Sequence, residues 1–382
     1  MIAAIDALAL ARALIRCPSV TPRDEGALGV LQAALEPLGF ACRRMPFGKI
    51  DNLYARWGSA GPNLAFAGHT DVVPPGDENA WRHPPFAAAV EDGMLYGRGA
   101  ADMKGGIAAF AAAAAEAIAA GQVRGSLSLL ITGDEEGVAL DGTKRMVAAL
   151  QAEGERIDHC IVGEPSSSAR LGDMIKIGRR GSLNAWLTVY GRQGHVAYPD
   201  RAANPIPVLV RLLERLQGRR LDEGYAAFPP SNLEVTTVDV GNPAANVIPA
   251  RAAARLNIRF NPAHTGESLV RWLEDERATA EAESGLKIEL TTLHSGDAFL
   301  TEPGLFVDLV LDTVEAVTGR RQEPSTTGGT SDARFIRALC PVLELGLVGT
   351  TIHHVDERAP VQEIADLQRV YAAVIERYFQ TF

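Results

Sequence analysis

Short unbroken apolar runs alternate along this chain with longer stretches of helical period. The runs at 63–68 (NLAFAG), 126–131 (SLSLLI) and 159–163 (HCIVG) have the length and continuity of strands buried on both faces. Between the first two, "GGIAAFAAAAAEAIAAG" (105–121) predicts an alanine-rich helix that stops at glycine. Strands separated by helices predict a mostly parallel sheet covered on both faces. The first twenty residues place Asp6, Arg12 and Arg16 at helical intervals. They lack a basic start followed by an apolar block, so they read as a helix and not as a signal peptide.

From residue 180 the pattern changes. "LNAWLTVYG" (183–191) alternates like a half-buried strand, and "NPIPVLVRLLERLQG" (204–218) repeats with helical period. Two strands follow, at 232–241 and 251–260, then an amphipathic helix at 266–285 and a strand at 286–293. The order β-α-β-β-α-β is the split plan of ferredoxin-like domains. It predicts a small α+β domain, 180–294, inserted into a larger α/β domain made of 1–179 and 295–382. The larger domain resumes with a helix at 304–318, the "PVLELGL" strand and a closing helix at 363–379.

Bulk properties narrow the function. A chain of 382 residues has room for two or three domains at roughly 150 residues each. Net charge is −10 with no Lys/Arg run, which argues against nucleic acid as a partner. No stretch of some 18 uncharged apolar residues occurs, which argues against a membrane span. Cys17, Cys42, Cys160 and Cys340 form no CxxC and show no regular spacing, the expectation for reduced thiols in a cytoplasmic protein.

The acids after 126–131 pose the chemical question. Asp134, Glu135 and Glu136 are adjacent and follow a buried run, where like charges need a positive partner. In an open α/β sheet, ligands collect outside the carboxyl ends of the strands. His69 and Asp71 follow 63–68, Asp102 lies in "ADMKGG", Glu164 follows "HCIVG", and "TTIHHVDE" adds His353 and His354. Imidazole nitrogen with carboxylate oxygen suits Zn²⁺. Two zinc ions sharing one carboxylate would need about five protein ligands and would make the clustered acids tolerable. Either histidine of the His353–His354 pair fits this pattern.

The blocks "GHTDVVPPG", "GMLYGRGAADMKGGIAA", "GDEEGVALDGT", "IVGEP", "GRRGSL", "GHVAYP" and "GGTSDARFI" resemble, in this order, the co-catalytic zinc amidohydrolases and peptidases that include acetylornithine deacetylase, aminoacylase and carboxypeptidase G. The resemblance covers essentially the whole chain. It implies a zinc-peptidase-like α/β/α catalytic domain with an inserted ferredoxin-like dimerisation domain, and a homodimer built through the latter. It implies two Zn²⁺ ions, with Co²⁺ as a substitute. His69 and Glu164 would hold one ion and Glu136 and His353 the other. Asp102 would bridge them, next to a cis peptide at Asp102–Met103. Asp71 would orient His69 through its second ring nitrogen, and Glu135 would be the general base. His195 would donate a hydrogen bond to the oxyanion from the partner subunit, with loop capping as its alternative role. Arg179, Ser182, Tyr198, Asn246, Arg259, Gly329 and Thr330 fall in blocks that line the family's acyl pocket, the two arginines as carboxylate clamps.

"GDEEGVALDGT" and "GHVAYPDRAANP" are the most specific part of the resemblance, which implies a small anionic substrate, N-succinyl-L,L-2,6-diaminopimelate, hydrolysed by a zinc-activated water. The alternatives are an acetylornithine or other N-acyl amino acid amidohydrolase, and a non-catalytic metal-binding dimer. One position departs from the pattern: Gly349 stands where better-known members carry Asn.

Overall fold

The computed structural model describes residues 4–382, which fall into two compact units. The first comprises the chain up to Ile177 together with Thr301–Ser325 and Ser331–Phe382. The second comprises Gly178–Leu300 and the short segment Thr326–Thr330.

The first unit is built on an eight-stranded sheet. Its order is Ala41–Arg44, Asn52–Trp57, Ser126–Thr132, Asn63–His69, His159–Val162, Val342–Glu344, Met174–Lys176 and Glu323–Ser325. The Asn63–His69 strand lies at the centre, parallel to Ser126–Thr132 on one side and His159–Val162 on the other. Every residue of Asn63–His69 and Ser126–Thr132 is buried, so both faces are covered, as the unbroken apolar runs require. The sheet is less parallel than predicted. Asn52–Trp57 pairs antiparallel with Ser126–Thr132, Ala41–Arg44 pairs antiparallel with Asn52–Trp57, and Val342–Glu344 meets Met174–Lys176 antiparallel.

The helix Gly105–Ala119 packs against Val361–Thr381 and Ala7–Ile15. Phe66 from the central strand stacks on Phe110 with ring centroids 4.3 Å apart, and Tyr371 meets both edge-on. Ala27–Leu35 lies on Asn52–Trp57 and Thr143–Ala152 on Ser126–Thr132. Among the described residues, no helix is long and apolar enough to cross a membrane.

A close approach fixes the bend that carries Asp102. The Met103 side chain is wholly buried in a slot between Gly68 and Gly163 at the ends of two central strands. A Cβ on Gly68 would lie 2.5 Å from the Met103 methyl, and one on Gly163 would lie 2.8 Å from it. With no side chain at either position, Met103 fits, and Asp102 beside it is anchored to the sheet. The Asp102–Met103 peptide is cis.

In the second unit the strands are ordered Asn232–Asp239, Arg251–Phe260, Gly181–Tyr190, Ile288–Gly296, each antiparallel to its neighbours. Burial alternates along Arg251–Phe260, with residues 252, 254, 256, 258 and 260 inside. Two helices cover that face. Pro205–Gly218 is capped by Asn204, and Gly266–Ser284 opens with a Thr265–Ser268 capping box and stops at Gly285 in the left-handed conformation. Leu183, Leu187, Leu209, Leu213, Leu256 and Leu273 form part of the shared core.

Candidate metal centre

The sheet brings three chain segments to one edge. His69 ends the central strand in register with Thr132, which ends the neighbouring strand. Asp134, Glu135 and Glu136 follow Thr132, and Glu164 follows the His159–Val162 strand on the other side. Asp102 arrives from the bend anchored by Met103. His353 comes from a turn in which it takes the left-handed conformation at φ 61°.

These side chains converge. His69 Nε2 is 3.2 Å from Asp102 Oδ1 and 3.8 Å from Glu164 Oε1. His353 Nε2 is 2.9 Å from Glu136 Oε1 and 3.5 Å from Asp102 Oδ2. The two oxygens of Asp102 thus face two different histidines. Single donor atoms of His69, Asp102 and Glu136 lie within 4.8 Å of one another, and so do those of His69, Glu135 and Glu164. His69, Asp102 and Glu164 are buried, while the His353 side chain is 47% exposed.

The electrostatics describe a cluster short of positive charge. Burial raises the Glu135 carboxyl well above its ordinary range, and the nearby Glu164 adds to this. Burial also pushes Asp71 up to about 6. For Asp102, burial acts upward but is outweighed by hydrogen bonds from His353 and His69, which hold it below the usual range. Burial works against a charged His69, yet Asp102, Glu164 and Asp71 hold its pKa well above the ordinary value. His353 is pushed up to about 10 by its bonds to Asp102 and Glu136. Both histidines therefore favour their charged forms. A nitrogen and carboxylate donor set that attracts protons this strongly fits divalent cations that take N and O ligands.

The supporting contacts differ in part from the sequence expectation. His69 Nδ1 lies 2.9 Å from the backbone oxygen of Asp71, whose carboxylate is 3.7 Å from the same nitrogen. The imidazole is therefore oriented by a carbonyl. The Asp71 carboxylate instead accepts the backbone N–H groups of Glu135 at 3.2 Å and Glu136 at 3.1 Å. Asp134, first of the three acids, turns away and accepts from the N–H groups of Leu140 and Asp141. The three acids, adjacent in sequence, therefore differ in what they do. Asp134 folds the loop, while Glu135 and Glu136 face the cluster.

Further contacts carry no sequence motif of their own. Lys104, wholly buried, donates to Cys17 O and Ser19 Oγ, and Ser19 Oγ donates to Thr70 O at 2.6 Å. This chain of bonds fixes the residue between His69 and Asp71. Arg98 and Glu357, also buried, join at 2.7 Å behind Asp102. Both sit in stretches that carry candidate ligands, "GRGAADMKGG" and "IHHVDE". The signal that could have found Arg98 is a charged residue inside a Gly- and Ala-rich stretch. At Gly349 a Cβ would meet the Pro165 carbonyl oxygen at 3.1 Å, so the backbone itself fills the place of a side chain there.

The remaining predicted residues belong to the second unit. His195 Nδ1 accepts the Ala197 N–H at 3.1 Å, which leaves Nε2 to carry the ring proton. Val196 N donates to Asn246 O, and the Tyr198 ring centroid lies 5.8 Å from that of His195. His195, Tyr198 and Asn246 thus share one exposed loop cluster. Ser182 and Arg259 are opposite one another in register. Arg179 is buried, and its Nη1 donates to the carbonyls of Thr327 and Gly329. It holds the segment that carries Gly329 and Thr330.

Comparison with known proteins agrees with this architecture. The sequence pattern described as "Peptidase family M20/M25/M40" matches residues 65–377. A succinyl-diaminopimelate desuccinylase of Phenylobacterium zucineum (strain HLK1) is 67% identical over 99% of this chain and 100% of its own length. One of Maricaulis maris (strain MCS10) is 60% identical over 98% of this chain and 96% of its own. The M20 family metallo-carboxypeptidase Sso-CP2 from Sulfolobus solfataricus superposes with TM-score 0.82 at 17% identity, covering 98% of this chain and 99% of that one. The YXEP protein of Bacillus subtilis, described as a dinuclear metal binding peptidase from the M20 family, gives TM-score 0.73 at 16% identity over 98% of both chains. By its sequence over most of its length, this chain is a member of peptidase family M20/M25/M40.

Proposed function

We propose that the protein hydrolyses N-succinyl-L,L-2,6-diaminopimelate to succinate and L,L-2,6-diaminopimelate, in the route that forms diaminopimelate and lysine. The observation that carries the hydrolytic reading is Asp102, whose two oxygens face His69 and His353 with Glu164 and Glu136 alongside. The substrate is supported by relatives of that name at 60–67% identity over nearly the whole chain. His69 and Glu164 would hold one Zn²⁺, Glu136 and His353 the other, and Asp102 both, with Co²⁺ able to substitute. Bound there, the ions would supply a water acidic enough to lose a proton near neutral pH and would polarise the amide carbonyl.

The chain's own residues do the rest. Glu135 accepts the proton of the attacking water as the new C–O bond forms. It then delivers that proton to the amine nitrogen as the C–N bond breaks. Asp71 holds Glu135 in place through the backbone. His195, with its proton on Nε2, donates to the carbonyl oxygen as negative charge develops, acting from a partner subunit. Arg179 shapes the 326–330 segment, and Arg259 with Ser182, Tyr198, Asn246, Gly329 and Thr330 receives the substrate's carboxylates.

The dimer forms through the second unit. Its edge strands Asn232–Asp239 and Ile288–Gly296 each pair on one side only among the described residues. Unpaired Cys17, Cys42, Cys160 and Cys340 fit a cytoplasmic location.

Purified protein assayed on N-succinyl-L,L-2,6-diaminopimelate and on N-acetylornithine, before and after chelation and Zn²⁺ restoration, tests this reading. Preference for the succinylated substrate with full dependence on metal is expected. Faster turnover of N-acetylornithine, or activity that survives complete removal of metal, overturns it.

A further inference from the structure

We propose that the buried Arg98–Glu357 pair positions one half of the metal centre: it sets the distance between the Asp102 bend and the His353 turn, and thereby governs binding of the ion between Asp102, Glu136 and His353. This rests on the two-metal reading given above.

The two halves of the centre have different supports. His69 and Glu164 follow directly from adjacent parallel strands. Asp102 and His353 come from a bend and a turn outside the eight-stranded sheet; the short strands next to them, Met94–Tyr96 and Arg358–Pro360, pair antiparallel, and Gly97 N donates to Glu357 O at 2.9 Å. Beyond the end of that ladder, the two segments are joined by the ion pair, whose members are 259 positions apart in sequence. Glu357 Oε1 accepts the N–H groups of Ala101 and Asp102, at 3.0 and 3.1 Å. Its Oε2 takes Arg98 Nη1 at 2.7 Å. Arg98 Nη2 reaches the carbonyls of Pro74 and His353, each at 3.4 Å. Trp81 covers the guanidinium with its ring centroid 5.3 Å away, and its Nε1 donates to Pro75 O. The guanidinium thus touches the chain after His69 and the backbone of His353 itself, while the carboxylate it pairs with accepts the N–H groups of the bend at Asp102.

A buried ion pair is a poor stabiliser in its own right, because desolvation offsets most of the attraction. Here the pair satisfies backbone groups of the two ligand segments that lie past the end of the short ladder between Met94–Tyr96 and Arg358–Pro360. Lysine cannot replace the arginine in this role, because a single ammonium cannot span the carboxylate and both carbonyls.

The test compares wild type, Arg98→Lys and Glu357→Gln with Arg56→Gln, which breaks the half-buried Arg56–Glu155 pair in the same unit away from these segments. Each protein is stripped of metal and titrated with Zn²⁺ against a chromophoric chelator. Melting of the metal-free form and the visible spectrum of the Co²⁺-loaded form are recorded alongside. Wild type is expected to bind two ions. Arg98→Lys and Glu357→Gln are expected to bind the second ion ~10- to 100-fold more weakly, the range for residues that orient metal ligands, with the first within about threefold. The Co²⁺ spectrum should lose one component. Arg56→Gln should melt lower with both affinities intact. If Glu357→Gln does not fold, Arg98→Lys, which keeps a charge opposite Glu357, decides the matter. The proposal is overturned if both variants bind two ions as wild type does, or if both affinities fall together in step with melting temperature. Fewer than two ions on wild type removes the metal reading itself, an outcome separate from the other two.

Discussion

Asp71→Asn separates two ways in which a carboxylate next to a metal ligand can act. In the structure the Asp71 carboxylate accepts the N–H groups of Glu135 and Glu136 at 3.2 and 3.1 Å, while the carbonyl of Asp71 orients His69. Asparagine keeps one acceptor oxygen and turns the other into an NH₂ facing an N–H. One charge-assisted bond is lost and one buried amide is left without a partner, a change of about 1.5–3 kcal/mol. If that energy appears as displacement of Glu135 from its working position, kcat falls about 10- to 150-fold. The carbonyl of residue 71 is unchanged, so the ion at His69 and Glu164 should remain. The assay is succinate release at saturating substrate, with zinc per subunit measured on the same sample by mass spectrometry. A variant that loses zinc in proportion to activity would place the role of Asp71 at the His69 ring. A kcat within twofold of wild type would refute the reasoning altogether.

Glu135→Gln should retain its zinc and lose activity by ~10²–10⁴, the usual share of a general base; metal loss with the mutation, or retained turnover, removes Glu135 from that role. In the metal-free protein, His353 has its folded-state pKa raised to about 10 from 6.5. Its contribution to stability is therefore complete below about 6.5 and lost as pH rises toward 10. Melting temperature of the stripped protein should fall over that window more steeply than in the Zn²⁺-loaded protein or in stripped His353→Ala; equal slopes for all three would contradict the contact. Mixing inactive His195→Ala with inactive Glu135→Gln should restore activity once subunits exchange, because one site of each heterodimer is then free of both defects. A mixture that stays inactive after native mass spectrometry has confirmed exchange removes His195 from action across subunits.

The parts of the fold that could be read from the sequence are those where a single physical pattern dominates. Asn63–His69 and Ser126–Thr132 are continuous apolar runs because both faces are buried. Arg251–Phe260 alternates because one face is buried. Ala41–Arg44 carries no such pattern: it is a partly exposed edge strand that reads ACRR. Met174–Lys176 and Glu323–Ser325 are too short to show a period. Helix Thr143–Ala152 places only Thr143, Met146, Val147 and Leu150 inside, a stripe too weak to stand out from its surroundings. Strand ends and loops marked where His69, Asp102, Glu136, Glu164 and His353 could converge, and the family resemblance of their blocks singled out these five. The target of the Asp71 carboxylate did not, because it is a pair of backbone amides, which leave no mark on residue identity. Arg98 and Glu357 escaped for a related reason: a charge in a Gly- and Ala-rich stretch marks Arg98, but only the fold makes Glu357 its neighbour.

The five converging side chains come from positions 69, 102, 136, 164 and 353, and the register of His69 against Thr132 sets where the first of them stands. No fragment of this chain could carry the centre, in contrast to compact metal modules whose ligands lie within a few dozen residues. An unfolded chain offers a cation only scattered donors, so capture must follow assembly of the sheet and cannot guide it. A slip of one residue in the central strand would swing His69 to the opposite face while changing no ligand. On the proposed metal reading the centre is a sensor of correct folding: retention of ions by newly made protein would report that the strands have found their partners.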